Sequence, residues 1–238
     1  MDVPPRTEFD DYAADYQRYL NGGRDTHPSG ETMDYFCRGR VAWLAADLRR
    51  RAHAPARILD FGCGIGHATV ALRRMFPDSE VQGVDVSSKS LEIARGAHAA
   101  TGVGFALLSD FRARGNYDVV HCNGVFHHIP APERAQAMRT VFEAARAGGY
   151  FSLWENSPWH PIVRYSMKHA EIDKDAAMVW PKTARMLCRR AGFRVLSTRF
   201  LFVFPRFLKH LRFMEPWVSP VPLGGQYHVL CRKPAADA

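Results

Sequence analysis

The sequence predicts an α/β protein built on a mostly parallel, doubly wound sheet, and three observations carry this prediction. From residue 57 onwards, short apolar segments alternate with segments of helical periodicity. A glycine-rich turn follows the first apolar segment directly, and an acidic residue ends the second one. Strands that alternate with helices are typical of parallel sheets, which have right-handed crossovers and helices on both faces. Ligands of such sheets bind beyond the carboxyl ends of the strands, where this turn is predicted to lie.

The predicted elements follow in order along the chain. Residues 9–21 and 32–51 place apolar side chains at helical spacing and predict an N-terminal helical cap, which ends before the proline at position 55. The predicted strands are 57–61, 80–85, 103–108, 117–123, 149–155, 195–203 and 227–232. The predicted helices between them are 67–75, 88–100, 133–145 and 182–191. Long connections remain at 156–180 and 204–225, and such connections are often functional lids or binding loops.

The composition is that of an ordinary globular protein. The chain has 238 residues, of which 47% are hydrophobic and 24% charged, which fits one domain. Its five cysteines are widely spaced and never occur as C-x-x-C, which argues against a disulfide framework and a structural zinc site. The first residues lack a signal-peptide pattern, and no window approaches the roughly 18–20 apolar residues of a spanning helix. We therefore expect a cytoplasmic protein without a transmembrane segment.

The formal net charge of +8 has two interpretations. It suits an acidic partner, such as RNA, a nucleotide sugar or a phosphorylated lipid, or it reflects arginines spread over solvated helix faces. The basic clusters fall on predicted helices and none forms a long arm, which favours solvated faces. One cluster, at 206–212, is interleaved with aromatic residues. Segment 204–225 is therefore expected to cover an apolar, anionic substrate, to lie on a membrane surface, to form a dimer contact, or to pack into the core.

The glycine-rich turn carries the sharpest motif. Gly62, Gly64 and Gly66 have the spacing G-x-G-x-G, which differs from the G-x-G-x-x-G of dinucleotide-binding turns. Asp60 precedes them, and its charge would repel a pyrophosphate but suits a ligand with a cationic amine and a sulfonium. Asp85 ends the next strand, where a carboxylate can accept hydrogen bonds from both ribose hydroxyls. The alternative is a tight turn without a ligand, and the second acidic residue weighs against it.

Four segments, ILDFGCGIG, GVDVS, LLSDF and YDVVHCNGVFHHIP, resemble the class I S-adenosylmethionine-dependent methyltransferase family. The resemblance is clear over residues 57–155 and weaker to residue 232. It implies a Rossmann-like, seven-stranded sheet whose last strand is antiparallel. The FDxYAxxY opening is also similar to a bacterial subgroup of small-molecule methyltransferases. Many members of that subgroup carry a Glu-x-Asn-Pro-like stretch after the fifth strand, and Glu-Asn-Ser-Pro at residues 155–158 departs from it.

This resemblance implies S-adenosyl-L-methionine as the cofactor and S-adenosyl-L-homocysteine as the product. It implies a single domain over residues 1–238, with a helical cap at 1–54, a cofactor-binding half at 55–155, and a substrate-side half with lid-like insertions at 156–238. Tyr12 and Tyr16 of the cap either close over the cofactor or simply pack. The cofactor-binding residues carried over from the family are Asp60, Phe61, Gly62 and Gly64 at the methionine end, Asp85 at the ribose, Val86, Asp110 and Phe111 at the adenine, and Asn123 near the methionine amine.

The acceptor is expected over the ends of the fourth and fifth strands. His127 is the first candidate for a general base, because histidine titrates near neutral pH, and Glu155 is the second. Glu155 could instead stabilise a cationic intermediate of carbon methylation, or pair with an arginine such as Arg164. The candidate substrate contacts are Phe126, His128, Asn156 and Trp159, and for His128 a structural role is the favoured alternative.

No histidines and carboxylates show metal-ligand spacing along the sequence, so no required metal is predicted. The predicted function is transfer of a methyl group to an oxygen, nitrogen or carbon atom of a small-molecule acceptor. The basic net charge is compatible with an anionic acceptor. Bacterial secondary metabolism and glycan or lipid biosynthesis are the expected settings. The alternatives are an RNA or protein methyltransferase, a non-catalytic S-adenosylmethionine-binding protein, and, least favoured, a nicotinamide oxidoreductase. Nucleic acid is disfavoured, because NGVF at residues 123–126 replaces the Asp/Asn-Pro-Pro-aromatic motif. A monomer and a homodimer both stay open.

Overall fold

The computed structural model describes residue 7, residues 9–14 and residues 29–235. Seven strands in this part of the chain form one sheet. They are β1 (Arg57–Phe61), β2 (Glu80–Asp85), β3 (Gly104–Leu107), β4 (Tyr117–Asn123), β5 (Ala145–Asn156), β6 (Arg194–Leu201) and β7 (Gln226–Arg232). Their order is β3-β2-β1-β4-β5-β7-β6, with β7 antiparallel to both of its neighbours and the other pairs parallel. The predicted Rossmann-like sheet with an antiparallel last strand is therefore confirmed.

Helices cover this sheet. Side-chain caps begin three of them, since Thr32 accepts a hydrogen bond from the Tyr35 amide, Ser87 from the Ser90 amide and His160 from the Val163 amide. The α-helices are α1 (Phe9–Tyr12), α2 (Met33–Arg49), α3 (His67–Met75), α4 (Ser88–His98), α5 (Arg134–Ala144), α6 (Pro161–His169), α7 (Pro181–Arg190) and α8 (Glu215–Val218). The 3₁₀ helices are Ala99–Thr101, Glu171–Asp173 and Arg206–Met214. Within the described ranges, no helix combines the length and the apolar composition needed to cross a membrane.

Alternate residues of the central strands enter two separate cores. Ile58 and Val119 pack with side chains of α2 and α3 on one face of the sheet. Leu59 and Val120, the next residues along the same strands, pack with α5 and α7 on the other face. This alternation follows from the two-residue period of a strand. Because both faces are covered, the central strands read as continuous apolar runs in the sequence.

The strand order reverses between β1 and β4. The chain winds from β1 through β2 to β3 in one direction and continues from β4 in the other. The loops that follow β1 and β4 therefore lead away to opposite faces, which opens a crevice at the carboxyl ends of the strands. This crevice positions the glycine-rich turn beside the loop that follows β4.

The predicted bounds agree best in the first half of the sheet, where β1, β2, β4 and α3 match residue for residue. Strand β5 begins at Ala145 rather than at residue 149, because Ala145 pairs with Tyr117 of β4. Segment 156–180 is more regular than predicted, since it contains α6 and the 3₁₀ helix Glu171–Asp173. Of the helix predicted at 9–21, residues 15–21, Tyr16 included, lie outside the described residues.

Segment 204–225 lies on the surface, and the expectation that its aromatic residues pack into the core is wrong. The side chain of Phe207 is 79% exposed and that of Trp217 is 72% exposed. Pro205 and Pro216 confine the segment to short helices, so its aromatic residues do not gather on one long buried face. The segment is nevertheless fixed to the cap, because Arg212 pairs with Glu31 at 2.6 Å.

Candidate active site

The glycine-rich turn after β1 has a shape that only glycine tolerates well. Gly62 has a φ of +75°, and a Cβ at this position would come within 2.3 Å of the Val125 side chain. Gly64 also has a positive φ of +52°, but open space lies in front of it. The turn therefore packs closely against the loop after β4 at Gly62 and leaves room for a ligand at Gly64.

Asp85 closes this turn from the end of β2. Its carboxylate accepts hydrogen bonds from the Gly64 amide at 2.7 Å and from the Ser87 amide at 2.9 Å. Burial raises the pKa of Asp85, while these amides oppose the shift. A carboxylate offers about four lone pairs, so it retains acceptor capacity for a ligand's hydroxyl groups.

Behind the turn, Asp60 at the end of β1 is only 1% exposed. The Thr69 hydroxyl donates to it at 2.7 Å. Burial raises the pKa of Asp60 to about 7, against the effects of this hydrogen bond and of the nearby positive charge of Arg40. A cationic ligand group beside this carboxyl would favour its ionised form.

Arg40 of α2 is a site residue that the sequence reasoning missed. Its side chain is 2% exposed, and it lines a cavity at the ends of β4 and β5. Among the described residues its hydrogen-bond partners are uncharged: the Gln226 Oε1 atom at 3.0 Å and the Cys37 Sγ atom at 3.5 Å. One signal in the sequence could have identified it. Arg40 falls on the apolar face of its helix beside Val41 and Leu44, and an arginine is rarely buried on such a face unless its guanidinium has a polar partner.

The outer end of the crevice follows β2 and β3. The Leu108 amide donates to the Asp85 carbonyl at 2.8 Å, so the loops after these strands lie side by side. Val86 and Asp110 are exposed there, and Phe111 is half-buried. Phe61, also predicted at the cofactor, is buried with its side chain in the core, which leaves only its backbone to face the crevice.

A cavity of about 280 Å³, which we call the acceptor cavity, opens at the ends of β4 and β5. Asn123 and Gly124 border it on the side of the glycine-rich turn. Both connecting segments that were predicted to act as lids, 156–180 and 204–225, contribute to its wall. The wall residues from these segments and from α2 include Tyr35, Phe36, Arg40, His160, Ser166, Met167, Phe204 and Phe207.

His127, His128, Glu155 and Asp173 form a buried cluster beside this cavity. The Nδ1 atom of His127 lies 2.6 Å from Glu155 Oε2, while Glu155 Oε1 accepts a hydrogen bond from the Phe126 amide at 2.8 Å. Asp173 Oδ1 lies 3.5 Å from the Nε2 atoms of both histidines. The two histidines and Asp173 line the cavity, whereas Glu155 reaches it through His127.

The two histidines of the cluster have very different pKa values. Burial alone would lower the pKa of His127, but the carboxylates of Glu155 and Asp173 outweigh burial and raise this pKa to about 10. Burial and the neighbouring His127 lower the pKa of His128 to about 3. Without another bound cation, His127 is therefore charged at neutral pH and lacks the lone pair that the predicted general base requires.

Three predicted contacts lie elsewhere. Phe126 is fully buried in the core between the sheet and α5 and does not line the cavity. Trp159 is half exposed and packs edge-on against Trp180 and Phe200, because β5 ends before it and the chain turns outward. Arg164 is exposed, and Glu155 pairs with His127 instead of with an arginine. Asn156 lines the cavity, where its contact with a substrate stays a prediction.

Comparisons with known proteins agree with this arrangement. Residues 59–151 match a family described as a methyltransferase domain. The chain is 33% identical over 114 residues to the ubiquinone biosynthesis O-methyltransferase of Bordetella pertussis, over 43% of this chain and 44% of the relative. It is 24% identical over 148 residues to the malonyl-[acyl-carrier protein] O-methyltransferase of Anoxybacillus flavithermus, over 60% of this chain and 57% of the relative. The chain thus spans 24% to 57% of the length of the first curated relatives that it matches.

A solved structure extends the likeness over the whole fold. An S-adenosylmethionine-dependent methyltransferase of Thermotoga maritima superposes with a TM-score of 0.65 at 19% identity, and the match covers 94% of this chain and 97% of that one. Residues 59–151 therefore carry a methyltransferase domain, and the described part of the chain shares the fold of a solved S-adenosylmethionine-dependent methyltransferase. The comparisons support S-adenosyl-L-methionine as the cofactor.

Proposed function

We propose that this protein transfers the methyl group of S-adenosylmethionine to a small-molecule acceptor bound in the acceptor cavity. The observation that carries the proposal is a juxtaposition across one crevice. The open turn with Asp60 and Asp85 lies on one side of the β1–β4 switch point, and the acceptor cavity bordered by Asn123 and Gly124 lies on the other. A cofactor on the first side would direct its methyl group towards the second.

The charges on the crevice suit the two ends of this cofactor. We infer that Asp85 accepts hydrogen bonds from the ribose hydroxyls, with Val86, Asp110 and Phe111 around the adenine. The amino-acid end is a zwitterion, and the crevice offers it one buried carboxyl and one buried guanidinium, Asp60 and Arg40. Arg40 would then bind the cofactor's carboxylate, and Asp60, with Gly62, Gly64 and Asn123, would face its amine.

The main task of the protein in this reaction is to orient the methyl donor and the acceptor. When bound, the cofactor would supply a methyl group on a positively charged sulfur. The glycine-rich turn with Asp60 and Asp85 would hold that cofactor, and the acceptor cavity would hold the accepting atom in line with the methyl carbon. Because the sulfonium is already a good leaving group, alignment of the two reactants supplies most of the rate. We assign His127 to the acceptor side of this reaction, with Glu155 as a positioning residue that acts through its contact with Nδ1.

The size of the cavity supports a small acceptor. A volume of about 280 Å³ holds a compact molecule or the end of a carrier-bound chain, and its walls combine aromatic rings with amides and histidines. The relatives named above are O-methyltransferases of ubiquinone biosynthesis and of malonyl-[acyl-carrier protein], which fits such an acceptor.

Filling the cavity tests the proposal. Ser166 of α6 lines the cavity, whereas Lys168 of the same helix is exposed. We expect Ser166→Trp to keep S-adenosylhomocysteine binding in calorimetry and to lose methyl transfer to an acceptor found by screening small acids, phenols and amines with methyl-labelled cofactor. Lys168→Trp is the matched control and should keep both. A folded wild-type chain that binds no S-adenosylhomocysteine would overturn the proposal.

A further inference from the structure

We propose that His127, His128 and Asp173 bind a divalent transition-metal ion, of the zinc or cobalt type, at the wall of the acceptor cavity. This inference goes beyond methyl transfer and does not depend on it. It rests on the geometry of three potential ligand atoms, on a buried carboxylate oxygen without a well-formed hydrogen bond among the described residues, and on the side chains that support them.

The three ligand atoms converge from two separate parts of the chain. The Nε2 atoms of His127 and His128 each lie 3.5 Å from Asp173 Oδ1, and all three atoms lie within 4.8 Å of one another. Zinc binds imidazole nitrogen and carboxylate oxygen at about 2.0–2.2 Å, which places neighbouring ligands of a tetrahedral ion about 3.3 Å apart. Small side-chain movements would therefore bring the three atoms onto one ion.

Asp173 gives the second observation. Its side chain is more than nine-tenths buried, and among the described residues its Oδ1 atom forms no well-formed hydrogen bond, because the two histidine nitrogens that face it lie 3.5 Å away. A buried carboxylate oxygen without a close partner is costly. A cation between Asp173 and the two histidines would provide it.

The surroundings match those of a metal-bound histidine. Glu155 Oε2 accepts from His127 Nδ1, which turns Nε2 towards the cluster, and the Phe126 amide fixes the other oxygen of Glu155. A carboxylate behind a ligating histidine is the usual device that orients the ring and strengthens its bond to a metal. Two imidazoles and one carboxylate leave coordination positions open, and the open side here is the cavity.

Backbone contacts hold the two contributing segments together. The Ala177 amide donates to the His127 carbonyl at 2.9 Å, just beyond the 3₁₀ helix Glu171–Asp173. The buried Arg134 side chain donates to the Ile129 carbonyl at 2.9 Å and to the Ala177 carbonyl at 2.7 Å. Asp173 is thus kept beside the histidines by contacts that do not involve its own carboxylate, as a preorganised site requires.

Cobalt binding tests this inference without cofactor or acceptor. Chelator-treated protein is titrated with Co²⁺ while visible absorption reports nitrogen coordination, and Zn²⁺ is then added as a competitor. We expect one equivalent of Co²⁺ to bind and Zn²⁺ to displace it. Asp173→Asn and His128→Gln should each weaken binding more than tenfold. Glu155→Gln, behind the ligands, should weaken it by about 10–100-fold.

His169→Gln is the matched control, because His169 is an exposed histidine on nearby α6. It should bind Co²⁺ like the wild type. Thermal unfolding of the wild-type chain gives a measurement that needs no variant: Zn²⁺ should raise its Tm and a chelator should reverse the rise. The inference is overturned if the wild type shows neither absorption nor a Tm shift, or if binding survives both ligand substitutions. A chain that binds Co²⁺ but not S-adenosylhomocysteine would keep this site and lose the proposed function.

Discussion

The two sides of the crevice differ in how the sequence builds them. The cofactor side consists of strand ends and the turns that follow directly, so Asp60, the glycines and Asp85 are close together in the sequence as well as in space. The acceptor cavity combines α2, the loop after β4, segment 156–180 and segment 202–207. The difference indicates that the first side is set by local motifs, whereas the second is assembled by tertiary packing between segments that are distant in the sequence.

The largest effect should come from the local side. We expect Asp85→Ala to weaken S-adenosylhomocysteine binding by about 100-fold or more, because two hydrogen bonds to a charged group contribute about 1.5–3 kcal/mol each. Isothermal titration measures this loss. Circular dichroism must show a folded variant, since Asp85 also accepts from the Gly64 and Ser87 amides.

Asp110→Ala is the comparison variant on the same edge. Asp110 is exposed, so its contact with the adenine amino group would be shared with water and its loss should cost about tenfold or less. Equal losses for the two variants would contradict the ranking of Asp85 as the principal contact of the cofactor side.

The same contrast explains what the sequence could and could not predict. The strand ends and the G-x-G-x-G turn carry their signal within a few residues, so the fold and the position of the glycine-rich turn followed from the motif and from periodicity. Asp173 carries no such signal, because it lies on a short 3₁₀ helix far along the chain from His127 and meets it only in the folded protein. The prediction that Trp159 contacts the substrate is wrong for a related reason. Tertiary packing decides the direction of the chain after β5, and it places Trp159 against Phe200.

Arg40 tests whether the cavity side also contributes to cofactor binding. We expect Arg40→Met to weaken S-adenosylhomocysteine binding by about tenfold or more, because a charged hydrogen bond to the cofactor's carboxylate would be lost. The same variant should bind 5′-methylthioadenosine, which lacks the amino-acid end, as well as the wild type does. A parallel loss for both ligands would show that Arg40 supports the fold rather than the carboxylate.

The pH dependence of cofactor binding probes Asp60. Its pKa is raised to about 7 by burial, and the groups that face it are Thr69, Asp85, Arg40 and the Cys63 thiol. If Asp60 pairs with the cofactor's amine as we propose, its carboxyl has to ionise, so S-adenosylhomocysteine affinity should fall below pH 7, by at most about tenfold per pH unit. Titration calorimetry at pH 6 and pH 8 measures the slope.

Asp60→Asn should remove this slope, since the amide does not titrate. In the unliganded protein, ionisation of Asp60 has the opposite effect, because it lowers the free energy of unfolding. Because the folded-state pKa of Asp60 lies above its unfolded value of about 3.9, its contribution is present at low pH and is lost as the pH rises through 7. A slope that persists in the variant would assign the titration to another group.

The smallest effect should come from the cap, where Asp10 of α1 contacts the start of α4. Its Oδ1 atom accepts from the Ser87 hydroxyl at 2.7 Å and from the Lys89 amide at 3.2 Å, at the start of α4. We expect Asp10→Ala to destabilise the chain by about 1 kcal/mol, as loss of a helix cap does, and to lower the Tm by about 2–4 °C. Glu92→Ala, at an exposed position of α4, is the comparison and should change little. Because Asp85 keeps its own amide partners in the Asp10 variant, cofactor affinity should change far less than in Asp85→Ala; a comparable loss would mean that the cap itself forms part of the cofactor side.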